Sequence, residues 1–317
     1  MLENSKHPKN AVLKHKNPIK LSRVIFILSF ILIPTLHFAI FYVYVNLNSF
    51  IMAFQLNKGG TIYWTLENFS RFFTEFLSNG SEMGQAFKNT FITFIIQQVM
   101  FLIGFLVSYF LYKKIFLYRA FRVFFFLPSL VAGTIVSSIF MKIVGVDGPF
   151  SLLFQKMFNL DYRPELLADS QFANQTVWMH MIWLSFPGNM VLFGGAFGRI
   201  PESVIESAKL DGVNWIQEAF RIIVPMVWPT IGLLLMLNIA GIFGASGSVF
   251  LLTKGGYGTQ TLSNWMYMQI YNLTGNPGES NAFNYMSAVG MMLTIVSVTL
   301  AFILRKLSGK IFDEVQY

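Results

Sequence analysis

Arg199-Ile-Pro-Glu-Ser-Val-Ile-Glu-Ser-Ala-Lys-Leu-Asp-Gly-Val-Asn-Trp-Ile-Gln-Glu-Ala-Phe-Arg-Ile-Ile-Val-Pro225 is a charged island between two long apolar stretches. Its local chemistry predicts helix, turn, helix. Pro201 suits the first position of a helix, and Glu202 complements the positive end of the helix dipole. That helix runs to Leu210. Asp211-Gly212 predicts a break, because glycine takes positive φ freely and aspartate supports turns. Asn214 can cap a second helix, with Gln217 three residues on as in a relaxed capping box. Ile216, Ala219, Phe220 and Ile223 then recur at i, i+3, i+4 and i+7, one apolar face of a helix. Pro225 is expected to close it.

Outward from this island the chain is almost free of charge. A membrane-spanning helix needs about 20 largely apolar residues. Six windows free of Asp, Glu, Lys and Arg meet that length: Val24–Val45, Asn89–Tyr112, Val123–Met141, Asn174–Gly198, Met226–Thr253 and Tyr285–Leu304. The fifth is longer than a span needs and should tilt, kink or leave the bilayer early. Composition agrees: of 317 residues, 54% are hydrophobic and 12% charged, against about 25% charged in soluble domains. The predicted fold is therefore an all-α integral membrane protein with about six transmembrane helices. The first window is too long for the apolar core of a cleavable signal, typically ~7–15 residues, and reads as a retained helix.

The formal charge of +8 bears on orientation rather than on nucleic acid. Sixteen of the Lys and Arg residues fall in the N-terminal arm, 113–122, 199–225 and the C-terminal tail; seven fall in 46–88, 142–173 and 254–284. The excess should face the cytoplasm. The expected organisation is a basic cytoplasmic arm over 1–22, a six-helix domain over 23–310 with the loop 201–225 inside, and a cytoplasmic tail over 311–317. Against the island simply lying on lipid stands its charge: three basic and four acidic residues are a poor match for an anionic membrane surface. A protein partner fits better.

The island resembles the EAA loop of binding-protein-dependent ABC transporter permeases. Glu206-Ser207-Ala208, Asp211-Gly212-Val213, Phe220, Ile222, Val224 and Pro225 match at the right spacing, with Ser207, Val213 and Val224 as conservative departures. Leu252-Thr-Lys-Gly-Gly256, Asn68-Phe69, Asn89-Thr90 and Ser287-Ala-Val-Gly290 resemble the sugar-importing branch, although Tyr257 stands where that branch has proline. The resemblance implies a type I importer permease similar to the first permease of maltose and multiple-sugar systems. It further implies a bacterial cytoplasmic-membrane location and no enzymatic activity of its own. The implied partners are a second permease, two ATPase subunits and an extracytoplasmic solute-binding protein. Glu206, Ser207, Ala208, Asp211, Gly212, Phe220 and Pro225 become the expected ATPase-coupling residues. An importer for a non-sugar solute remains open.

Other motifs lead elsewhere or nowhere. The chain lacks a phosphate-binding loop, so ATP and magnesium are expected on the partner ATPase and no cofactor on this chain. With no cysteine, a thiolate metal site is excluded. Gly244-Ala-Ser-Gly247 resembles the nucleophile motif of rhomboid intramembrane proteases, but every histidine (His7, His15, His37, His180) precedes it. Small residues there suit close helix packing through Gly241/Ala245 and Gly244/Ser248. An ion-coupled carrier is disfavoured by the charge-free windows. For a sugar, the path should carry neutral hydrogen-bonding groups. The candidates are Gln97, Gln98, His180, Asn189, Asn238, Ser246 and Ser248.

Overall fold

In the computed structural model of the chain, residues 21–244, 246–273 and 280–311 are described. The arm over 1–20, Ala245, part of the 254–284 loop and the tail from 312 lie outside them. The chain divides into two units, Met1–Ile51 and Met52–Tyr317.

The first unit holds α1 (Leu21–Phe38, with Pro34 inside), a π-helical stretch over Ala39–Tyr44, and the start of α2 (Val45–Ala53). Ile25–Ala53 makes one 29-residue apolar stretch whose most hydrophobic window is 0% buried within the chain. Such a surface is left for lipid or for another chain to cover.

The second unit opens with an antiparallel hairpin, β1 (Gln55–Lys58) and β2 (Thr61–Trp64), turned over Gly59-Gly60. α3 (Glu67–Leu77) follows, then α4 (Glu82–Tyr112), a 31-residue helix without proline, capped by Ser81, whose hydroxyl accepts from the Gly84 amide. α5 (Tyr118–Leu130) and α6 (Gly133–Val144) share the third apolar window. That window is broken where Val131 and Ala132 turn extended, two residues past the end of a helix already carrying Pro128. The apolar run resumes through α7 (Pro149–Met157), and Gly133–Met157 is long enough to cross.

α8 (Ala173–Phe197) packs along α4 and turns through 83° into α9 (Glu202–Leu210). α10 (Trp215–Gln217), a π segment over Glu218–Ile223 and α11 (Val224–Ala240) form one continuous apolar stretch. The fifth window does not stay helical. It breaks after Ala240, and α12 (Gly247–Leu252) starts afresh. α13 (Leu262–Leu273) and α14 (Ser280–Ile311) complete the described residues. Among them, five helical stretches are long and apolar enough to cross a membrane, or six if the bent α8–α9 pair counts as one.

Two cores form at the two ends of α4. At its C-terminal end, Phe101, Phe105 and Tyr109 meet Phe193, Phe197, Ala219 and Ile223. At its N-terminal end, Met83 and Ala86 meet Phe72, Leu262, Trp265, Tyr285 and Met286.

Candidate coupling loop and polar path

The loop between α8 and α11 is built by backbone chemistry that its sequence announces. Pro201 sits one residue outside α9, as its extended N-cap, and Glu202 takes the first turn. At the other end Gly212 has φ +69°. The Gly212 amide donates to Lys209 O at 3.2 Å and the Val213 amide to Ala208 O at 3.1 Å. These two bonds make a Schellman motif, which needs a left-handed residue at Gly212 and tucks Val213 against Ala208. Asn214 then caps α10 in a full capping box. The Gln217 amide donates to Asn214 Oδ1 at 2.9 Å and the Asn214 amide to Gln217 Oε1 at 3.2 Å.

Two expectations are corrected here. Pro225 does not close the second helix. It lies in the first turn of α11, and the chain runs straight through. Inside a helix, proline lacks a donor and crowds the carbonyl four residues back. The π turns over Glu218–Ile223, immediately upstream, widen the helix where that crowding falls. The apolar stripe is also split. Ala219 and Ile223 are buried, while Ile216 and Phe220 are half exposed. Glu218 takes the inward place.

Glu218 is the residue that pattern reading missed. Its carboxylate meets Lys113, just past the end of α4, with Nζ 2.7 Å from Oε1 and 2.8 Å from Oε2. The Glu218 side chain is 5% exposed and that of Lys113 24%. Tyr109 donates its hydroxyl to Trp215 O at 3.4 Å, and Phe110 rests on the Trp215 ring. Nothing in the sequence links positions 113 and 218. At helical spacing Glu218 falls opposite the apolar stripe, on what reads as a polar face.

The outer face of the loop is mixed. Leu210 is 88% exposed and Trp215 49%. Glu206, Ser207, Asp211 and Gly212 are exposed beside them, whereas Ala208 is buried and Pro225 half-buried.

The polar path candidates do not converge. His180 and Ser248 are brought together: His180 Nδ1 lies 3.0 Å from Ser248 Oγ, and Nε2 lies 3.3 Å from Ser137 Oγ on α6. His180 is 0% exposed and packs on Phe140, so here it ties α6, α8 and α12 together. Ser137 was not foreseen. Ser246 precedes α12 and is half-buried, and it is Ser248 that engages the histidine. Asn189 lies where α8 meets α4, so close that a Cβ on Gly104 would stand 2.7 Å from its Cβ. Gln97, Gln98 and Asn238 are half-buried, and Gln98 Nε2 is without a partner among the described residues.

At the N-terminal end of α4, residues noted above for their resemblance act as posts for backbone. Asn89 Nδ2 donates to Gly258 O at 2.7 Å and to Gln260 O at 2.9 Å. Thr90 Oγ1 accepts from the Leu262 amide at 2.8 Å. Asn68 Nδ2 donates to Ala53 O and Gln55 O, both at 3.0 Å. Each satisfies buried or partly buried carbonyls or amides that a loop would otherwise strand.

Residues 100–312, which hold α8, the Schellman turn, the capping box and all of α14, match the profile of the binding-protein-dependent transport system inner membrane component. The chain belongs to that family. Relatives agree over larger and smaller shares of the chain. An arabinooligosaccharides transport system permease protein of Bacillus subtilis (strain 168) is 25% identical over 288 residues, 88% of this chain and 87% of its own. A multiple sugar-binding transport system permease protein of Streptococcus mutans is 26% identical over 192 residues, 60% of this chain and 63% of its own. The permease fold is shared with a crystal structure of a bacterial ABC transporter that imports the acidic polysaccharide alginate, with TM-score 0.73 and 20% identity over 91% of this chain and 97% of that one. The chain is thus a multi-pass permease component of an ABC importer, and its fold class is that expected from the sequence.

Proposed function

We propose that this permease carries a saccharide, and that the loop 199–225 couples its helices to the ATPase. The observation carrying the coupling role is the paired geometry of the loop. One face is locked into the aromatic core and the Lys113–Glu218 ion pair; the other presents Leu210, Trp215, Ile216 and Phe220 among exposed Glu206, Ser207 and Asp211. Apolar side chains rimmed by charge suit a protein partner. Ala208 and Pro225 shape the unit from within.

A saccharide cargo is supported by what the relatives are named for and by spans whose polar groups are amides, hydroxyls and an imidazole. Such groups recognise hydroxyls without ion pairing. Among the path candidates, Asn238 is favoured because the loop leads directly into α11, and Ser246 with it, just past the break that ends that helix. The excess of Lys and Arg supports a reading with the loop and both termini in the cytoplasm of a bacterium, and with the arm 1–22 and the tail 311–317 flanking a membrane domain over 23–310. A second permease subunit completes the pathway, two ATPase subunits hold ATP and magnesium, and an extracytoplasmic binding protein delivers the cargo.

The test is Gly212→Val in the assembled transporter. A Cβ at φ +69° meets no atom within 4 Å, so the cost of the Cβ is conformational rather than a clash. Saccharide uptake and binding-protein-stimulated ATP hydrolysis should fall at least tenfold with membrane insertion intact. Normal uptake and normal stimulation would remove the loop from coupling.

A further inference from the structure

A cavity of about 560 Å³ opens between α3, the start of α4, α13 and the start of α14, at the end of α4 away from the coupling loop. Its wall holds one guanidinium, Arg71, two carboxylates, Glu75 and Glu82, and two amides, Gln269 and Asn281. Two of the charged groups, Arg71 and Glu75, are tied to each other and to Tyr285. Arg71 Nε donates to Glu75 Oε1 at 2.8 Å, and its guanidinium lies 4.0 Å above the Tyr285 ring. The Tyr285 hydroxyl donates to Glu75 Oε2 at 2.6 Å. Asn281 is fixed by two bonds to the Asn57 backbone, at 2.6 and 2.8 Å. Trp265, 3% exposed, forms part of the wall and has no acceptor for its indole N–H among the described residues.

This is the chemistry of hydroxyl recognition. Planar carboxylate, guanidinium and amide groups offer paired donors and acceptors to vicinal hydroxyls. For Arg71, Glu75 and Asn281, the contacts already made lower the entropy cost of ordering them on binding. The volume lies within the range of small-ligand sites and suits a short saccharide. Two carboxylates against one guanidinium leave the wall with a net negative charge, which repels an anionic sugar and not a neutral one. We propose that this cavity binds a neutral glycosyl unit, as a saccharide site separate from the polar groups within the spans. The proposal rests on the saccharide-importer reading and adds to it a second contact point with selectivity against uronates.

The experiment uses the assembled transporter in lipid nanodiscs without nucleotide. Calorimetric titration is run with arabinotriose, maltotriose and trigalacturonate against the wild type, Gln269→Leu and Glu82→Gln. At least one neutral trisaccharide should bind the wild type, and Gln269→Leu should weaken it tenfold or more. Trigalacturonate should bind the wild type at least tenfold more weakly, and Glu82→Gln should narrow that gap. Unchanged neutral binding in Gln269→Leu overturns the site, as does a wild type that binds no neutral trisaccharide or prefers trigalacturonate. Should Gln269→Leu fail to assemble, Glu82→Gln alone decides, an unaltered gap overturning the site. Uptake of the same sugars by cells with and without the gene is measured in parallel. Gene-dependent uptake with unaltered binding in the variants rejects the cavity and keeps the importer reading; loss of no sugar uptake on deletion rejects the reading itself.

Discussion

The two ends of α4 are held by different physics. At the C-terminal end the contacts are aromatic, with Phe105 edge-on to Phe193 and Phe197 at 5.4 Å, and one buried ion pair is set among them. At the N-terminal end an apolar core around Phe72, Trp265 and Tyr285 is joined by amides and hydroxyls fixed on backbone: Asn68, Asn89 and Thr90 are all buried and all bonded. Apolar contact is roughly proportional to area and has no direction. Hydrogen bonds weaken steeply when their angles change. The first end therefore tolerates small displacements of the loop as a body, whereas the second fixes register. The second end is also the less saturated. Asn264, 1% exposed, has neither side-chain polar atom partnered among the described residues, and the same holds for Thr93 and Thr261 hydroxyls.

The sharpest way to break this contrast is at the ion pair, which is shorter than the Tyr109–Trp215 hydrogen bond beside it. Lys113→Ala strands a buried carboxylate, a loss of about 3 kcal/mol. Thermal unfolding of the purified transporter should shift down by several degrees, and uptake should fall with it. Lys113→Met with Glu218→Leu removes both charges and should restore most of the stability, since apolar replacements of a buried pair are often neutral. If Lys113→Ala alone leaves the melting temperature unmoved, the pair is not what holds the loop to α4.

The next effect compares two left-handed glycines. Gly212→Ala meets only the conformational cost, about 1–2 kcal/mol. Gly255, at φ +87°, faces Asn264 Oδ1 so closely that a Cβ would collide with it, and overpacking adds about 1–3 kcal/mol. Gly255→Ala should therefore lower the melting temperature more than Gly212→Ala, while Gly212→Ala should affect ATPase stimulation more. Equal stability losses would mean that the loop at Gly255 yields easily, and that the hydrogen-bonded end is not the stiffer one.

Spans and turns of the coupling unit were legible because their signals are local. Charge-free windows mark lipid-facing length, Gly212 announces a left-handed residue, and Asn214 with Gln217 announces a cap. Breaks inside the windows were not legible. Val131-Ala132 and the residues after Ala240 are as apolar as the helices around them, and hydropathy is blind to backbone conformation. The continuation through Pro225 was hidden because a π segment has no composition of its own. Lys113 and Glu218 are distant in sequence, so each read as an ordinary surface charge. The cavity wall was dispersed in the same way: Arg71, Glu75, Gln269 and Asn281 come from three helices and meet only in the fold.

The smallest perturbation asks which side of the membrane each end occupies. Single substitutions Asn214→Cys, at the loop, and Ser78→Cys, past the end of α3, fall on exposed positions of a chain with no native cysteine. Ser78→Cys should change uptake by no more than about twofold, as surface changes usually cost little. Asn214→Cys, by contrast, removes the N-cap of α10, about 1 kcal/mol, and should lower uptake while leaving membrane insertion intact. An impermeant thiol reagent applied to intact cells, or to protoplasts if there is a wall, should label Ser78→Cys and spare Asn214→Cys. The reverse pattern would invert the orientation and put the coupling face on the wrong side for an ATPase.

α4 itself runs unbroken between these two ends. Its 31 residues span roughly 46 Å at about 1.5 Å per residue. The helices on either side of it in the bundle are interrupted or bent, at Val131, after Phe197 and after Ala240, but α4 carries no proline and no such break. It therefore behaves as a beam. A tilt of about 5° pivoted at the hydrogen-bonded end would sweep the other end by roughly 4 Å over that length, about three-quarters of a helical turn. Gearing of this kind turns a small angular change at one surface into a displacement large enough to matter at the other.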